Sequence, residues 1–300
     1  MRSWATRGLM AAAVVPVLLA AGCTTAEKDG DDSPDASANR QPIEAGDRYV
    51  ALGDSYTSAP GVGTTTGPAG CLRTDGNYPT LLAGALDLEL TDVSCGGAKT
   101  DDMTKPQVVG SETVPAQVDA VTEDTDLVTL SIGANNGSVY GNLVVSCARL
   151  ATTNPTGAPC SDLAQKNPDV LPQVFDGVEA GIVETVGAIL DRAPHARVVI
   201  VGYPQIIPAQ GTCALLPLAE GDYAFGRGVL QEFVEAQAEA AEKAGAEYVD
   251  VWAASEGHDI CGQEPWVAGF RPAEAGTAYH PYAEEQAAVA DLLESTVSGP

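Results

Sequence analysis

The stretch "YVALGDSYTSAPGVG", residues 49–63, begins as an apolar strand and stops abruptly at Gly53, Asp54 and Ser55. Glycine, aspartate and serine are common in turns and helix caps, so a plain turn is one interpretation. The other interpretation is a nucleophilic hydroxyl that is presented at the carboxyl end of a strand. These residues alone do not decide between the two, so the choice depends on the rest of the chain.

Apolar β-branched runs alternate along the chain with segments of helical spacing. The predicted strands are residues 48–53, 91–94, 126–133, 196–204 and 246–251, and the predicted helices are residues 78–87, 171–193, 226–245 and 281–296. Strands that are separated by helices form a parallel sheet with helices on both faces. We therefore predict an α/β fold of three layers around a five-stranded parallel sheet.

Three polar or flexible residues follow predicted strands at the same edge of this sheet. Ser55, Gly97 and Asn135 each come just after the carboxyl end of a strand, where ligands bind in open α/β sheets. His280, in "AYHPYAEEQ" (278–286), stands immediately before the last helix. Acyl transfer needs a nucleophile, a base and donors for an oxyanion, and these four residues offer a candidate for each role.

Composition restricts the class of protein. The chain has 300 residues, of which 45% are hydrophobic, and its formal net charge is −26. Once the ends are removed, one domain of about 250 residues is expected. An acidic surface of this kind argues against binding of nucleic acid and against adsorption to anionic lipid.

The N-terminal residues predict that the protein is exported from the cytoplasm. Arg2 and Arg7 precede a short apolar run that ends at Cys23 in "LLAAGC", which resembles a bacterial lipobox. We expect residues 1–22 to be a lipoprotein signal peptide, 23–47 an acylated cysteine with an acidic, disordered tether, and 48–300 the folded domain. The protein would then be anchored to the outer face of the cytoplasmic membrane by Cys23. The alternative is an ordinary secretory peptide and a secreted protein.

Cysteine usage agrees with export. The chain has seven cysteines, and removing Cys23 leaves an even set of six. In an exported chain such a set predicts three disulfides, although the count alone leaves fifteen pairings open.

Four short blocks carry a family resemblance. "GDSY", "CGGA", "IGANN" and "HP", in this order, resemble the SGNH hydrolases, which are also called GDSL esterases and lipases. The similarity runs from about Tyr49 to the last helix, and "VVIVGYP" with the six cysteines is similar to the actinobacterial secreted branch. The resemblance implies a flavodoxin-like sheet and a serine esterase or lipase that acts on acyl esters without a metal or cofactor. We also expect a monomer.

The resemblance also implies a role for each residue. Ser55 would attack the ester carbonyl to form an acyl-enzyme, with His280 as its base. The N–H groups of Ser55 and Gly97 and the Asn135 side chain would hold the oxyanion. The disulfides implied are Cys71–Cys95, Cys147–Cys160 and Cys213–Cys261.

Two positions depart from the family pattern. Asn136 stands where the family usually has aspartate, and Thr277 stands where the family has the aspartate that supports the histidine. We therefore predict a Ser–His dyad in which the main-chain carbonyl of Thr277 orients His280, with Glu274 and Asp259 as the rival acids. The alternatives left open are an acyltransferase, a carbohydrate or lipid deacylase on the same site, and a binding lipoprotein without catalysis.

Overall fold

The computed structural model describes residues 42–272 and 276–299. Outside these ranges lie the predicted signal peptide, Cys23, residues 24–41 of the predicted tether, and Glu274. The strands of the described residues are β1 (Arg48–Gly53), β2 (Glu89–Asp92), β3 (Gln107–Val109), β4 (Glu112–Val114), β5 (Leu127–Ser131), β6 (Arg197–Val201) and β7 (Glu247–Val249). The α-helices are α1 (Ser55–Ser58), α2 (Tyr78–Leu86), α3 (Asp101–Thr104), α4 (Val139–Gly141), α5 (Ala148–Ala151), α6 (Pro159–Gln165), α7 (Val170–Arg192), α8 (Asp222–Ala244), α9 (Val251–Ala254) and α10 (Ala283–Val297).

Five of the strands form one parallel sheet in the order β2-β1-β5-β6-β7. This is the flavodoxin-like order, in which the second strand along the chain lies outside the first. The central strands β5 and β6 are buried along their whole length, as their continuous apolar runs predict. The predicted α/β fold is confirmed.

Helices cover both faces of the sheet. Alternate residues of β1 point to opposite sides, so that Val50 and Leu52 join one hydrophobic core while Tyr49 and Ala51 join the other. The first core packs against α7 and α8, and the second packs against α2 and α10. In α7 the buried positions Val178, Ile182, Val186 and Ile189 recur at helical spacing, which is why the sequence pattern located this helix.

Some local features differ from the sequence prediction. The second strand of the sheet begins at Glu89 rather than at residue 91, because its pairing with β1 starts at Arg48↔Glu89 and its burial only alternates. The strands β3 and β4 form an antiparallel hairpin that the hydrophobic pattern does not predict. A π-helix spans Asn142–Cys147, directly after α4.

The disulfides are Cys71–Cys95, Cys147–Cys160 and Cys213–Cys261, the pairing that the family resemblance implies. Within the described ranges, no helix combines the length and apolar character that crossing a membrane requires.

Candidate active site

The end of β1 places Ser55 at the carboxyl edge of the sheet. A Cβ atom at Gly53 would lie 2.1 Å from Thr57 Oγ1 and 2.7 Å from the Ser131 carbonyl oxygen, so only glycine permits this close approach. The Asp54 carboxylate then accepts a hydrogen bond from the Tyr56 N–H at 2.9 Å and caps α1. Ser55 is the first residue of this short helix and is half-buried.

A side chain that the sequence analysis did not select holds this turn. The Gln117 amide accepts a hydrogen bond from the Gly53 N–H at 2.7 Å and donates one to the Gly53 carbonyl at 2.9 Å. Gln117 is 2% exposed. It lies 64 residues away along the chain, so no local pattern could have identified it.

Asn135 connects the loops that carry the other predicted donors. Its amide nitrogen donates to Asp54 Oδ2 at 3.3 Å and to the Ala98 carbonyl at 3.0 Å. Those partners are the direct neighbours of Ser55 and Gly97. Gly97 has a φ of +74° and nothing within 4 Å of the position of a Cβ, so its backbone borders open space. The Asn135 side chain therefore links the segment that carries Ser55 to the loop that carries Gly97.

Asn136 forms a pair of hydrogen bonds with Thr100, one of which an aspartate could not form. Its side-chain oxygen accepts from the Thr100 N–H at 3.1 Å, and its nitrogen donates to the Thr100 hydroxyl at 2.7 Å. An aspartate could accept at both positions but could not donate. This departure from the family pattern thus keeps the loop tied to α3.

The structure corrects the predicted contact of Thr277. The Ala278 carbonyl lies 2.8 Å from His280 Nδ1, while the Thr277 carbonyl accepts the backbone N–H of His280 at 3.0 Å. Tyr279 has a φ of +62°, so the chain turns sharply between these residues. This turn directs the Ala278 carbonyl at the ring, and a main-chain carbonyl still orients the histidine.

This contact determines the tautomer of His280. A carbonyl oxygen only accepts, so Nδ1 carries the proton and Nε2 keeps its lone pair. Burial lowers the pKa of the imidazole, and the Ala278 hydrogen bond opposes this only in part. The ring is therefore neutral at neutral pH. Within the described ranges no hydrogen bond joins Nε2 to the Ser55 hydroxyl, and such catalytic contacts often tighten only when substrate binds.

Among the described residues, neither Asp259, a rival acid, nor the adjacent His258 forms a hydrogen bond with His280. Asp259 accepts the Cys261 N–H at 2.8 Å and so stabilises its own turn. His258 Nδ1 lies 2.7 Å from the Glu264 carbonyl, and its ring stacks on Trp266 at a centroid distance of 4.6 Å. These contacts give both residues a structural role.

The Asp54 carboxylate is an unusual electrostatic feature of the site. It is fully buried and accepts hydrogen bonds from the Tyr203 hydroxyl at 2.6 Å, from the Tyr56 N–H and from Asn135. Burial raises the pKa of Asp54 to about 7, although its hydrogen bonds to Tyr203 and Tyr56 oppose the rise. Asp54 and Tyr203 both stand in motifs that carry the resemblance, but their mutual contact depends on the fold.

Comparison with known proteins agrees with this geometry. The chain matches the GDSL-like lipase/acylhydrolase family over residues 51–284. It is similar to Lipase 2 of Streptomyces coelicolor, with 41% identity over 76% of this chain and 78% of the relative. It is also similar to a lipase of Streptomyces rimosus, with 30% identity over 84% of this chain and 86% of the relative.

Solved structures show the same arrangement of the chain. Phospholipase A1 from Streptomyces albidoflavus NA297 superposes with a TM-score of 0.66 and 27% identity, over 84% of this chain and 99% of that one. The extracellular lipase of Streptomyces rimosus gives a TM-score of 0.68 and 27% identity, over 83% of this chain and 99% of that one. The protein therefore belongs to the GDSL-like lipase/acylhydrolase family and is an ester-hydrolysing enzyme.

Proposed function

We propose that the protein is a lipase or esterase that hydrolyses carboxylic esters through an acyl-enzyme on Ser55, with His280 as the base. The observation that carries this proposal is the hydrogen bond between His280 Nδ1 and the Ala278 carbonyl at 2.8 Å. It leaves Nε2 as the free basic nitrogen, and the lowered pKa of the ring keeps that nitrogen unprotonated. A neutral, oriented imidazole is what a serine nucleophile requires.

The steps follow from these roles. The Ser55 oxygen bonds to the ester carbonyl carbon while its proton passes to His280 Nε2. The bond to the alcohol oxygen then breaks, and that oxygen takes the proton and leaves as the free alcohol. Water attacks the acyl-enzyme, gives one proton to Nε2 and releases the acid, and the proton returns to Ser55. The N–H groups of Ser55 and Gly97 hold the oxyanion. The Asn135 amide joins them when the N–H that it donates to Asp54 Oδ2 at 3.3 Å turns to the substrate. One such donor contributes about 2.7–4 kcal/mol.

An apolar pocket that is lined in part by the segment after Asn135 supports an acyl chain as part of the substrate. The pocket has a volume of about 410 Å³ and contains no charged side chain in its lining, although the whole chain carries a net charge of −26. Its apolar walls include Val139, Leu143, Leu171, Val174, Phe225 and Val229.

Two features support a connection between this pocket and the loop that carries Asn135. One wall begins at Gly137, two residues beyond Asn135. The other walls include the N-terminal parts of α7 and α8, helices that return from the carboxyl end of the sheet. A second cavity of about 480 Å³ lies at the amino ends of the strands and is lined by Asp47, Asp126 and Arg197, which suit an acyl chain poorly.

Hydrolysis of p-nitrophenyl acetate and laurate by the purified protein tests the function. Ser55→Ala and His280→Ala should each remove turnover of both esters, whereas Asp259→Asn should keep it because Asp259 bonds only within its own turn. Turnover that survives in Ser55→Ala would contradict the proposed nucleophile. Loss of several orders of magnitude in Glu274→Gln would show that a side-chain acid supports His280.

A separate prediction concerns the length of the acyl chain that the pocket accepts. Leu163 lines the pocket and is 52% exposed, so Leu163→Glu places a charge at the mouth without disturbing the core. Hydrolysis of laurate should fall about tenfold while hydrolysis of acetate is unchanged. Val108→Glu, a substitution of a 74% exposed residue outside the pocket, is the matched control. Equal effects on both esters would exclude the pocket as an acyl site.

We further propose that acylation of Cys23 anchors the enzyme to the outer face of the cytoplasmic membrane. The lipobox-like "LLAAGC" and the acidic segment after it support this proposal. Cys23→Ala should release the protein into the medium or leave it unprocessed. Membrane association equal to that of the wild type would contradict it.

A further inference from the structure

Three tyrosines connect the chain segments that carry Ser55, Asn135 and His280. Tyr56 directly follows Ser55, Tyr140 lies five residues after Asn135, and Tyr279 directly precedes His280. The hydroxyls of Tyr56 and Tyr140 are hydrogen-bonded to each other, and the Tyr56 hydroxyl donates to the Tyr279 carbonyl at 3.1 Å. Residues that are 84 and 223 positions apart thus share one chain of hydrogen bonds.

The direction of this chain follows from the chemistry of its members. A phenol has one proton to donate, and a carbonyl oxygen can only accept. The Tyr56 proton therefore goes to the Tyr279 carbonyl, and Tyr140 donates to the Tyr56 oxygen. Burial raises the pKa of the phenols of Tyr56 and Tyr140 far above neutral, so both keep the proton that this arrangement needs.

The chain of hydrogen bonds ends on a strained point of the backbone. Tyr279 has a φ of +62°, the left-handed region that a bulky residue rarely adopts unless its surroundings hold it there. The peptide group that links it to His280 is held at both ends. Its carbonyl accepts from Tyr56, and its N–H donates to the Thr277 carbonyl at 3.0 Å.

Tyr56 also contacts the catalytic ring directly. The ring centroids of Tyr56 and His280 lie 6.1 Å apart, with an angle of 29° between the planes. Tyr140 and Tyr203 pack edge-on against the Tyr56 ring at 5.5 Å and 5.0 Å. Tyr56 therefore limits both the peptide before His280 and the plane of its imidazole.

We propose that Tyr56 and Tyr140 are positioning residues, whose hydroxyls hold the left-handed Tyr279 and so aim His280 Nε2 at Ser55. The proposal rests on the proposed roles of Ser55 and His280. It assigns Tyr140 an action that passes only through Tyr56, because its hydroxyl has no other hydrogen-bond partner among the described residues.

The test compares single and double variants in the hydrolysis of p-nitrophenyl acetate. Tyr140→Phe and Tyr56→Phe should each lower kcat about tenfold with KM within about twofold, since one hydrogen bond that orients the base is lost. In the double variant kcat should equal that of Tyr56→Phe, because Tyr140 acts through Tyr56. Tyr49→Phe is the matched control, since it removes a buried hydroxyl that bonds to Thr129 at 2.7 Å in the opposite core.

Two outcomes would overturn the proposal. One is a Tyr140→Phe enzyme with kcat within about twofold of the wild type, and the other is a double variant in which the two losses multiply. A second measurement does not need turnover. The chain has three histidines, and the His280 Nδ1 proton, observed by NMR in ¹⁵N-histidine Ser55→Ala protein, should exchange faster after Tyr140→Phe than after Tyr49→Phe.

The NMR measurement separates this inference from the proposed function. Equal exchange in both variants would contradict the positioning role even if hydrolysis depends on Ser55. If Tyr140→Phe speeds exchange but the hydrolysis assay shows no dependence on Ser55, the positioning of His280 is supported and the proposed function is contradicted.

Discussion

A buried carboxyl group on α10 allows a direct test of the electrostatics of this fold. Glu285 is 2% exposed, and one of its oxygens accepts from the Gln286 side chain at 2.6 Å. Burial raises its pKa from 4.5 to about 8, and the Gln286 hydrogen bond opposes the rise only in part. The titratable groups that face it are the phenols of Tyr56, Tyr78 and Tyr140. No cation of the described residues forms an ion pair with it.

The raised pKa links stability to pH. Well below pH 4.5 the carboxyl is protonated in both the folded and the unfolded chain, so it adds no pH dependence to the free energy of unfolding. As pH rises from 4.5 to about 8, the unfolded chain loses this proton while the folded protein keeps it, so the free energy of unfolding falls. Between about pH 5 and about pH 9 the loss is about 4 kcal/mol, at about 1.36 kcal/mol per pKa unit.

The substitution Glu285→Gln should remove this dependence. Glutamine has nearly the same shape and still offers an oxygen to Gln286, but it cannot ionise. We expect the stability of the variant relative to the wild type to be about 4 kcal/mol higher at about pH 9 than at about pH 5. Urea denaturation of both proteins at both pH values measures it. The difference cancels any packing cost that is independent of pH, and it also cancels Asp54, which both proteins contain.

The adjacent residue provides the control. Glu284 is exposed on the same helix turn, so Glu284→Gln should change stability by less than about 0.5 kcal/mol at either pH. If Glu285→Gln shifts stability equally at both pH values, the carboxyl ionises normally in the folded protein. The reasoning from burial would then be wrong.

Three further predictions concern other parts of the molecule. Replacing Cys71 and Cys95 by serine should lower the free energy of unfolding by about 3.5 kcal/mol in the chain-entropy model for a bridge of 24 residues, as non-reducing urea denaturation would show; an unchanged midpoint would contradict it. Arg197→Leu should cost about 3–5 kcal/mol in the same assay, because it removes the ion pair with Glu247 at 2.8 Å and the hydrogen bonds that Arg197 donates to the Val297 and Thr296 carbonyls; a loss below about 1 kcal/mol would contradict this reason. Thr277→Val should keep kcat for p-nitrophenyl acetate within about twofold, since only the backbone of this residue contacts His280, and a larger loss would assign the hydroxyl a role.

Local pattern predicts the elements that carry the sheet. β1 lies at the residues predicted, and β5, β6 and β7 lie within the predicted ranges, because each is a short apolar run that must be buried. The hairpin of β3 and β4 was missed, since only one of its six strand residues is buried and they carry no hydrophobic period. The start of β2 was also missed, because its pairing with β1 rather than its own pattern sets it.

The candidate site likewise has residues that the sequence predicts and contacts that only the fold determines. Ser55, Gly97, Asn135 and His280 could be selected because each stands in a short motif at a predicted strand end or helix start, and their catalytic roles stay predictions. The carbonyl that orients His280 was assigned to the wrong residue. Whether Thr277 or Ala278 faces the ring depends on the left-handed turn at Tyr279, and a bulky residue gives no sequence signal for that conformation.

The sequence by itself determined the order of strands and helices, the motifs at the strand ends and, through the family resemblance, the disulfide pairing. These are properties of neighbouring residues or of a known pattern. Only the tertiary structure decided that Gln117 holds Gly53, that Asp54 is buried beside Tyr203, and that Tyr56 supports the carbonyl before His280. Such contacts join residues that are 64, 149 and 223 positions apart along the chain. Their geometry depends on how the packed sheet and helices bring distant loops together, so the local sequence pattern does not predict these contacts.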